Sequence, residues 1–282
     1  MLNINHVVKN YKDFRLDVTM EVKPGCITGL VGRNGAGKST TFKSILDLVC
    51  PESGSVQVLG TDSRRMSAKE RENLGVVLSD SGFSEYLTVR DINSILKSMY
   101  QKHKGESFLA QCERLGLPTD KKVKEFSTGM KAKLKVLVAL SHDAKLLILD
   151  EPTVGLDVAM REELLDLLRA YMEADEERAI LISSHIATDL EGLCDDIYMI
   201  NDGSIVLHEE TDVLLSSYAV LKMDAAQYER LDKKYILQTK KEAYGISCLT
   251  NQKHFYAENY PQIVVEQSGI DDLILFMIGG EA

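Results

Sequence analysis

Eight consecutive residues constrain this chain more than any other feature. Gly32-Arg33-Asn34-Gly35-Ala36-Gly37-Lys38-Ser39 satisfies the pattern G-x-x-x-x-G-K-[ST]. Its glycines let the backbone curl until successive amide N–H groups point inward at one set of anionic oxygens. A helix opening near Thr40 presents its N-terminus to the same place and adds partial positive charge. Lys38 brings a full charge to the β- and γ-phosphates of a nucleotide, and the Ser39 hydroxyl is suited to ligate Mg²⁺. The expected nucleotide contacts are therefore Gly32, Asn34, Gly35, Ala36, Gly37, Lys38, Ser39 and Thr40.

The flanks fit this reading. Residues 26–31 carry no charge, as expected for a strand buried on both faces, and residues 40–49 read as a helix. Strand, loop, helix is the order that a phosphate loop requires. On its own the loop leaves kinases, GTPases and motor ATPases open.

Along the rest of the chain, residues 15–22 alternate with period two, the mark of a half-buried strand. Residues 55–59 and 74–78 read as further strands. Thr88-Val89-Arg90-Asp91 opens a helical stretch with a capping-box pattern, and helix continues to about residue 141 with breaks near residues 103–105 and 116–118. Apolar strands at 146–149 and 179–182 enclose an amphipathic helix at about 161–174, and 197–200 with 204–208 read as a hairpin across Asn201-Asp202-Gly203. Strands alternating with helices predict an α/β domain with a mainly parallel sheet and helices on both faces. From about residue 216 to 282 the texture changes. Short strands at 218–223, 235–239 and 263–266, a turn near Tyr244-Gly245 and a helix at 271–278 predict a small α+β appendage.

Composition narrows the setting. A net charge of −10, with aromatics at 6% and no tryptophan, argues against broad binding to a nucleic-acid backbone. No run approaches the roughly 20 apolar residues needed to span a bilayer, and no secretory signal is visible, so a soluble chain is expected unless a partner anchors it. The five cysteines are scattered and never in C-x-x-C spacing, which disfavours a zinc or disulfide framework and suits a reducing cytosol.

Three later segments choose among the phosphate-loop classes. Leu146-Leu147-Ile148-Leu149-Asp150-Glu151 is an apolar strand that delivers two carboxylates to the upper sheet edge, where ligands bind. Asp150 suits the Mg²⁺ shell, and Glu151 suits the polarisation of an attacking water. With Phe126-Ser127-Thr128-Gly129-Met130 upstream, Asp150-Glu151-Pro152-Thr153-Val154-Gly155-Leu156-Asp157 in the middle and Ser183-Ser184-His185 after the next strand, the chain resembles the ATP-binding-cassette (ABC) family over about residues 1–215.

That resemblance implies a RecA-like P-loop NTPase core with an N-terminal antiparallel β subdomain and a helical subdomain at about 83–141. It implies catalytic roles for Lys38, Glu151 and His185, stacking of Tyr11 on adenine with Phe14 as the weaker alternative, and ATP with Mg²⁺ as ligands. Ser127 and Gly129, in the signature segment, would close over the γ-phosphate of ATP held by another subunit. Expected partners are thus a second nucleotide-binding subunit, identical or not, and a separate transmembrane permease at the cytoplasmic face of the membrane. The appendage is similar to tails of bacterial export ATPases, which implies export. A soluble cassette ATPase of translation or DNA repair is the alternative; those members carry two cassettes or a long coiled coil, which this chain lacks. Two departures stand out. Ser79-Asp80-Ser81 occupies the place where the family carries a glutamine, and Thr128 and Met130 replace a glycine and a glutamine of the signature.

Overall fold

The structure, a computed structural model, describes residues 1–243 and 245–277. Strands β1 (Leu2–Asn10), β2 (Arg15–Val22) and β3 (Ile27–Val31) lead into helix α1 (Lys38–Ile45). There follow β4 (Ser53–Val58), β5 (Thr61–Asp62), the one-turn helix α2 (Ala68–Arg71) and β6 (Leu74–Val77). Three helices come next, α3 (Val89–Met99), α4 (Gly105–Arg114) and α5 (Thr128–Leu140). The chain then returns to the sheet through β7 (Leu146–Asp150), α6 (Val158–Glu173), β8 (Ala179–Ser183), α7 (Ala187–Glu191), β9 (Asp196–Asn201) and β10 (Ser204–Glu210). The C-terminal part contains α8 (Thr211–Ser217), β11 (Ala219–Met223), α9 (Ala225–Arg230), β12 (Ile236–Glu242), β13 (Gly245–Thr250), α10 (Lys253–Asn259), β14 (Val264–Gln267) and α11 (Ile270–Met277).

The first ten strands form one sheet in the order β5-β4-β1-β2-β10-β9-β3-β8-β7-β6. Neighbours from β9 to β6 all run parallel, whereas β1, β2, β4 and β5 pair antiparallel. The parallel half sets up the site, because every segment leaving the C-terminal ends of β3, β6, β7 and β8 emerges at the same edge. Those segments are the phosphate loop, Ser79, Glu151 and His185.

Burial explains why the central strands are apolar along their whole length. Side chains alternate across β7 and β8, so Leu146, Ile148 and Leu181 face one layer with Phe42 and Ile45 of α1. Leu147, Leu149, Ile180 and Ile182 face the opposite layer with Leu164, Leu165 and Leu168 of α6. The helical block has its own apolar cluster, in which Val89, Ile92 and Leu96 of α3 meet Phe108 and Cys112 of α4 and Leu134 and Leu137 of α5. Its entry is fixed by the predicted capping box: Thr88 and Asp91 exchange side-chain to backbone hydrogen bonds.

Several elements differ from expectation. Helix α1 ends at Ile45, because Asp47 turns left-handed at φ 58° and the amides of Leu48 and Val49 both fold back onto the Lys43 carbonyl. Strand β1, which bridges β2 and β4, has no counterpart in the sequence reading, and neither do β13 and the short helices α8, α9 and α10. The turn expected at Tyr244-Gly245 falls partly outside the described residues, since Tyr244 is not among them; Gly245 opens β13 opposite Glu242. The final helix is described to Met277, and the Ile278 expected to end it lies outside the described residues. The C-terminal strands form a separate sheet, β12-β13-β11-β14. Yet Ile270, Leu273 and Phe276 of α11 join the main core beside Leu190 and Leu193, and Glu191 Oε1 accepts the Ile270 amide at 2.7 Å.

Candidate active site

The phosphate loop leaves β3 and wraps onto the first turn of α1. Two of its glycines are required by geometry. A Cβ on Gly32 would lie 2.4 Å from the Ile200 carbonyl oxygen, so only glycine lets the loop pass β9 this closely. Gly37 adopts φ 118°, a backbone conformation that L side chains rarely occupy, at the N-cap of α1. Lys38 is buried; its Nζ donates to the Gly32 carbonyl at 2.7 Å and lies 3.6 Å from Glu151 Oε1.

Asp150 closes β7 as an almost fully buried carboxylate, 1% exposed, and three hydroxyls converge on it. Ser39 Oγ donates to Oδ2 at 2.8 Å, Ser79 Oγ to the same oxygen at 2.9 Å and Ser183 Oγ to Oδ1 at 2.8 Å. The last contact follows from strand register, since Asp150 stands opposite Ser183 in the β7–β8 pair. Ser183 Oγ also accepts the Glu151 amide at 3.0 Å and so holds the turn after the strand.

Glu151 is the one site residue other than glycine with left-handed backbone, at φ 54°. Such a conformation costs about 1–3 kcal/mol and persists where the surroundings enforce it. Here it turns the carboxylate back over the phosphate loop. Glu151 Oε2 lies 2.5 Å from His185 Nδ1 and accepts the His185 amide at 3.1 Å. Lys38 and Glu151, 113 residues apart along the chain, and Glu151 and His185, 34 apart, thus form one contiguous set at the sheet edge.

A cavity of about 760 Å³ opens over this set. Its walls include Asn34, Gly35, Gly37, Lys38, Ser39, Thr40, Asp150, Glu151 and His185, with Thr128, Lys131 and Lys135 of α5 opposite. Gly32 and Ala36 support the loop from behind and do not line it. Ser127 and Gly129 are likewise outside the lining. Ser127 Oγ caps α5 by accepting the Met130 amide at 3.2 Å, and Gly129 packs so tightly that a Cβ would lie 3.1 Å from Met160 Sδ. Tyr11 is 47% exposed beyond Phe14, their ring centroids 6.1 Å apart. It is the Phe14 ring that touches the loop, 3.1 Å from a Cβ built on Gly37.

Sequence reading missed the hydroxyls of Ser79 and Ser183 and the lysines of α5. In the sequence, Ser183 lies two residues before the motif histidine with no role of its own, and Ser79 marks only the absence of a glutamine. Asp80, the carboxylate next to Ser79, pairs with Lys43 at 2.6 Å and does not join the Asp150 cluster. Among the described residues no group of three or more His, Cys, Asp or Glu side chains could hold a metal ion alone.

Comparison with known proteins agrees with the geometry. A family model described as ABC transporter matches residues 16–154. A second, described as an AAA domain and putative AbiEii toxin of a type IV toxin–antitoxin system, matches residues 121–188. The lantibiotic transport ATP-binding protein SrtF of Streptococcus pyogenes is 35% identical over 216 residues, which cover 75% of this chain and 92% of SrtF. The bacitracin transport ATP-binding protein BcrA of Bacillus licheniformis is 36% identical over 191 residues, covering 67% of this chain and 62% of BcrA. A solved ATP-binding cassette, dimeric and bound to ADP and Pi in a post-hydrolysis state, superposes with a TM-score of 0.66 at 19% identity, over 75% of this chain and 99% of that one. The chain belongs to the ABC transporter family and carries that family's ATP-binding ATPase cassette.

Proposed function

We propose that two such cassettes close around ATP and that the cycle of closure and release drives a separate transmembrane subunit in the direction of export. The observation that carries this reading is the division of the motifs. Lys38, Asp150, Glu151 and His185 converge in one cavity, whereas the Ser127-capped N-terminus of α5 lies outside that cavity. A second chain supplies the missing wall: its Ser127 hydroxyl and the amides around Gly129 meet the terminal phosphate. The solved cassette of the same fold, itself a dimer, supports the arrangement.

Within one site, Lys38 Nζ exchanges the Gly32 carbonyl for phosphate oxygens, and the loop amides fix the polyphosphate chain. Glu151 orients the attacking water and accepts its proton as the new O–P bond forms and the bond to the ADP oxygen breaks. His185 holds the Glu151 carboxylate in place and contacts the γ-phosphate. The donors around Ser39 and Asp150 are all oxygen, the set that suits a hard cation such as Mg²⁺. When bound there, the ion would neutralise phosphate charge, held by Ser39 and Asp150 with the Ser79 hydroxyl alongside. Tyr11 stacks on adenine in this reading.

The helical block at about 83–141 exposes Tyr86, Ile95 and Met99, apolar side chains available to the transmembrane partner. No helix among the described residues is long and apolar enough to cross a membrane, so association with the cytoplasmic face would run through that partner. SrtF serves lantibiotic transport and BcrA bacitracin transport, which supports transport of an antibiotic-like molecule by this chain's complex and disfavours a role in translation or repair. Residues 216–282 are an accessory domain in this reading, supported by their own sheet and an apolar cluster around Leu221, Cys248 and Tyr256. The test is Glu151→Gln: steady-state ATP turnover should fall by about 10²–10⁴-fold while ATP affinity is kept. Turnover at the wild-type rate would remove Glu151 from the mechanism.

A further inference from the structure

Helix α5 carries three lysines near the cavity, and one of them has no partner among the described residues. Lys131 Nζ lies 3.8 Å from Glu85, and Lys133 Nζ lies 2.5 Å from Glu163 on α6. Lys135 makes neither a hydrogen bond nor an ion pair with any of the described residues, yet it is half-buried and lines the same cavity as Lys38 and Asp150. Burial pushes its ammonium below the usual lysine range, with only the more distant Asp80 opposing, and Asp80 is already paired with Lys43. An unpaired cation taken out of water is costly unless something anionic completes it.

Packing fixes where this cation sits. Helix α5 presses on β6 so closely that a Cβ on Gly75 would lie 2.4 Å from the Ala139 carbonyl oxygen. Lys135 is one turn from Ala139 toward the helix N-terminus, and it lines the cavity together with Ser79, which follows β6. Ser79 in turn donates to Asp150, on the side of the cavity where the Mg²⁺ ligands gather. Thr128, Lys131, Ala132 and Lys135 follow the i, i+3, i+4, i+7 spacing of one helix face, and all four line the cavity.

We propose that Lys135 is a ligand of the terminal phosphoryl oxygens of ATP bound in its own chain, a second cation facing Lys38 across the cavity. The lysine then links the nucleotide's outermost charge to α5. The same helix offers Ser127 and Gly129 to the neighbouring site, so binding in one site would orient the wall of the other. The proposal rests on the ATP-binding reading given above.

The test compares wild type, Lys135→Met and Lys135→Arg as full chains, by equilibrium binding of ATP and of ADP together with thermal unfolding without nucleotide. Wild type should bind both nucleotides. Lys135→Met should weaken ATP by about tenfold or more and ADP by less than about threefold, as expected for loss of a charge-assisted contact to the terminal phosphate. Lys135→Arg should stay within about threefold of wild type for both. Without nucleotide, Lys135→Met should melt at the wild-type temperature or above, since a desolvated charge has gone. Unchanged ATP affinity in Lys135→Met, an equal loss for ATP and ADP, or a lowered melting temperature that accounts for the loss would overturn the proposal. A wild-type chain that binds neither nucleotide would instead overturn the ATP-binding reading beneath it.

Discussion

Arg161→Leu probes how the site histidine is held. Arg161, on α6, points Nη1 at Asp189 Oδ1 on α7 at 3.6 Å, and Asp189 is only 4% exposed. No other partner among the described residues satisfies Asp189 Oδ2 or Arg161 Nε. At an effective dielectric of about 20, two unit charges at this separation attract by about 4–5 kcal/mol. Removing one partner of such a pair strands the other, at a cost of about 3–5 kcal/mol. Arg161 is 22% exposed, so water reaches part of the pair and the lower end, about 3 kcal/mol, is expected. Urea unfolding at pH 7 followed by circular dichroism measures it through the midpoint and slope. Arg161→Leu combined with Asp189→Leu leaves no stranded charge and should recover most of the loss. Because α7 starts two residues after His185, the single variant should also turn over ATP more slowly than the double variant. A loss below about 1 kcal/mol, or a double variant no more stable than the single, would refute the reasoning.

Two other outcomes follow from the geometry. Tyr11→Ala should weaken ATP by about tenfold, the scale of one base–aromatic stack, and leave the affinity for inorganic tripolyphosphate unchanged, as competition binding would read. His142 is buried, donates from Nε2 to the Leu74 carbonyl at 3.0 Å and leaves Nδ1 without a partner among the described residues, and burial pushes its pKa below the ordinary 6.5. A depressed folded-state pKa means that stability is fully present above pH 6.5 and is lost as pH falls toward the folded value, because the unfolded chain takes up the proton first. Urea midpoints measured from pH 7.5 down to pH 5 should therefore fall, with a shallower slope in His142→Gln.

The site was legible in the sequence wherever its chemistry lies in contiguous residues. Gly32–Ser39 and Asp150-Glu151 declare themselves because backbone curl and strand-end carboxylates need fixed spacing. The hydroxyls around Asp150 were not legible, because Ser183 reaches it through the β7–β8 register and Ser79 through the β6–β7 pair, both set by tertiary packing. The left-handed turn at Glu151 is equally silent in sequence, since nothing in the residue type announces φ 54°. In the fold, the parallel half was readable from its uncharged runs, while β1 was not, because its register breaks between Ile4 and Val7 and blurs the period-two pattern. The small helices α8, α9 and α10 have seven residues or fewer, too short for a helical period to emerge from the sequence.

Light scattering on Glu151→Gln, with and without ATP and Mg²⁺, reaches the shared-site claim most directly. A molar mass that doubles on adding ATP, and that stays at one chain when Ser127→Arg is added, is the predicted result. A protein that binds ATP tightly yet remains a single chain at every concentration tested would contradict it.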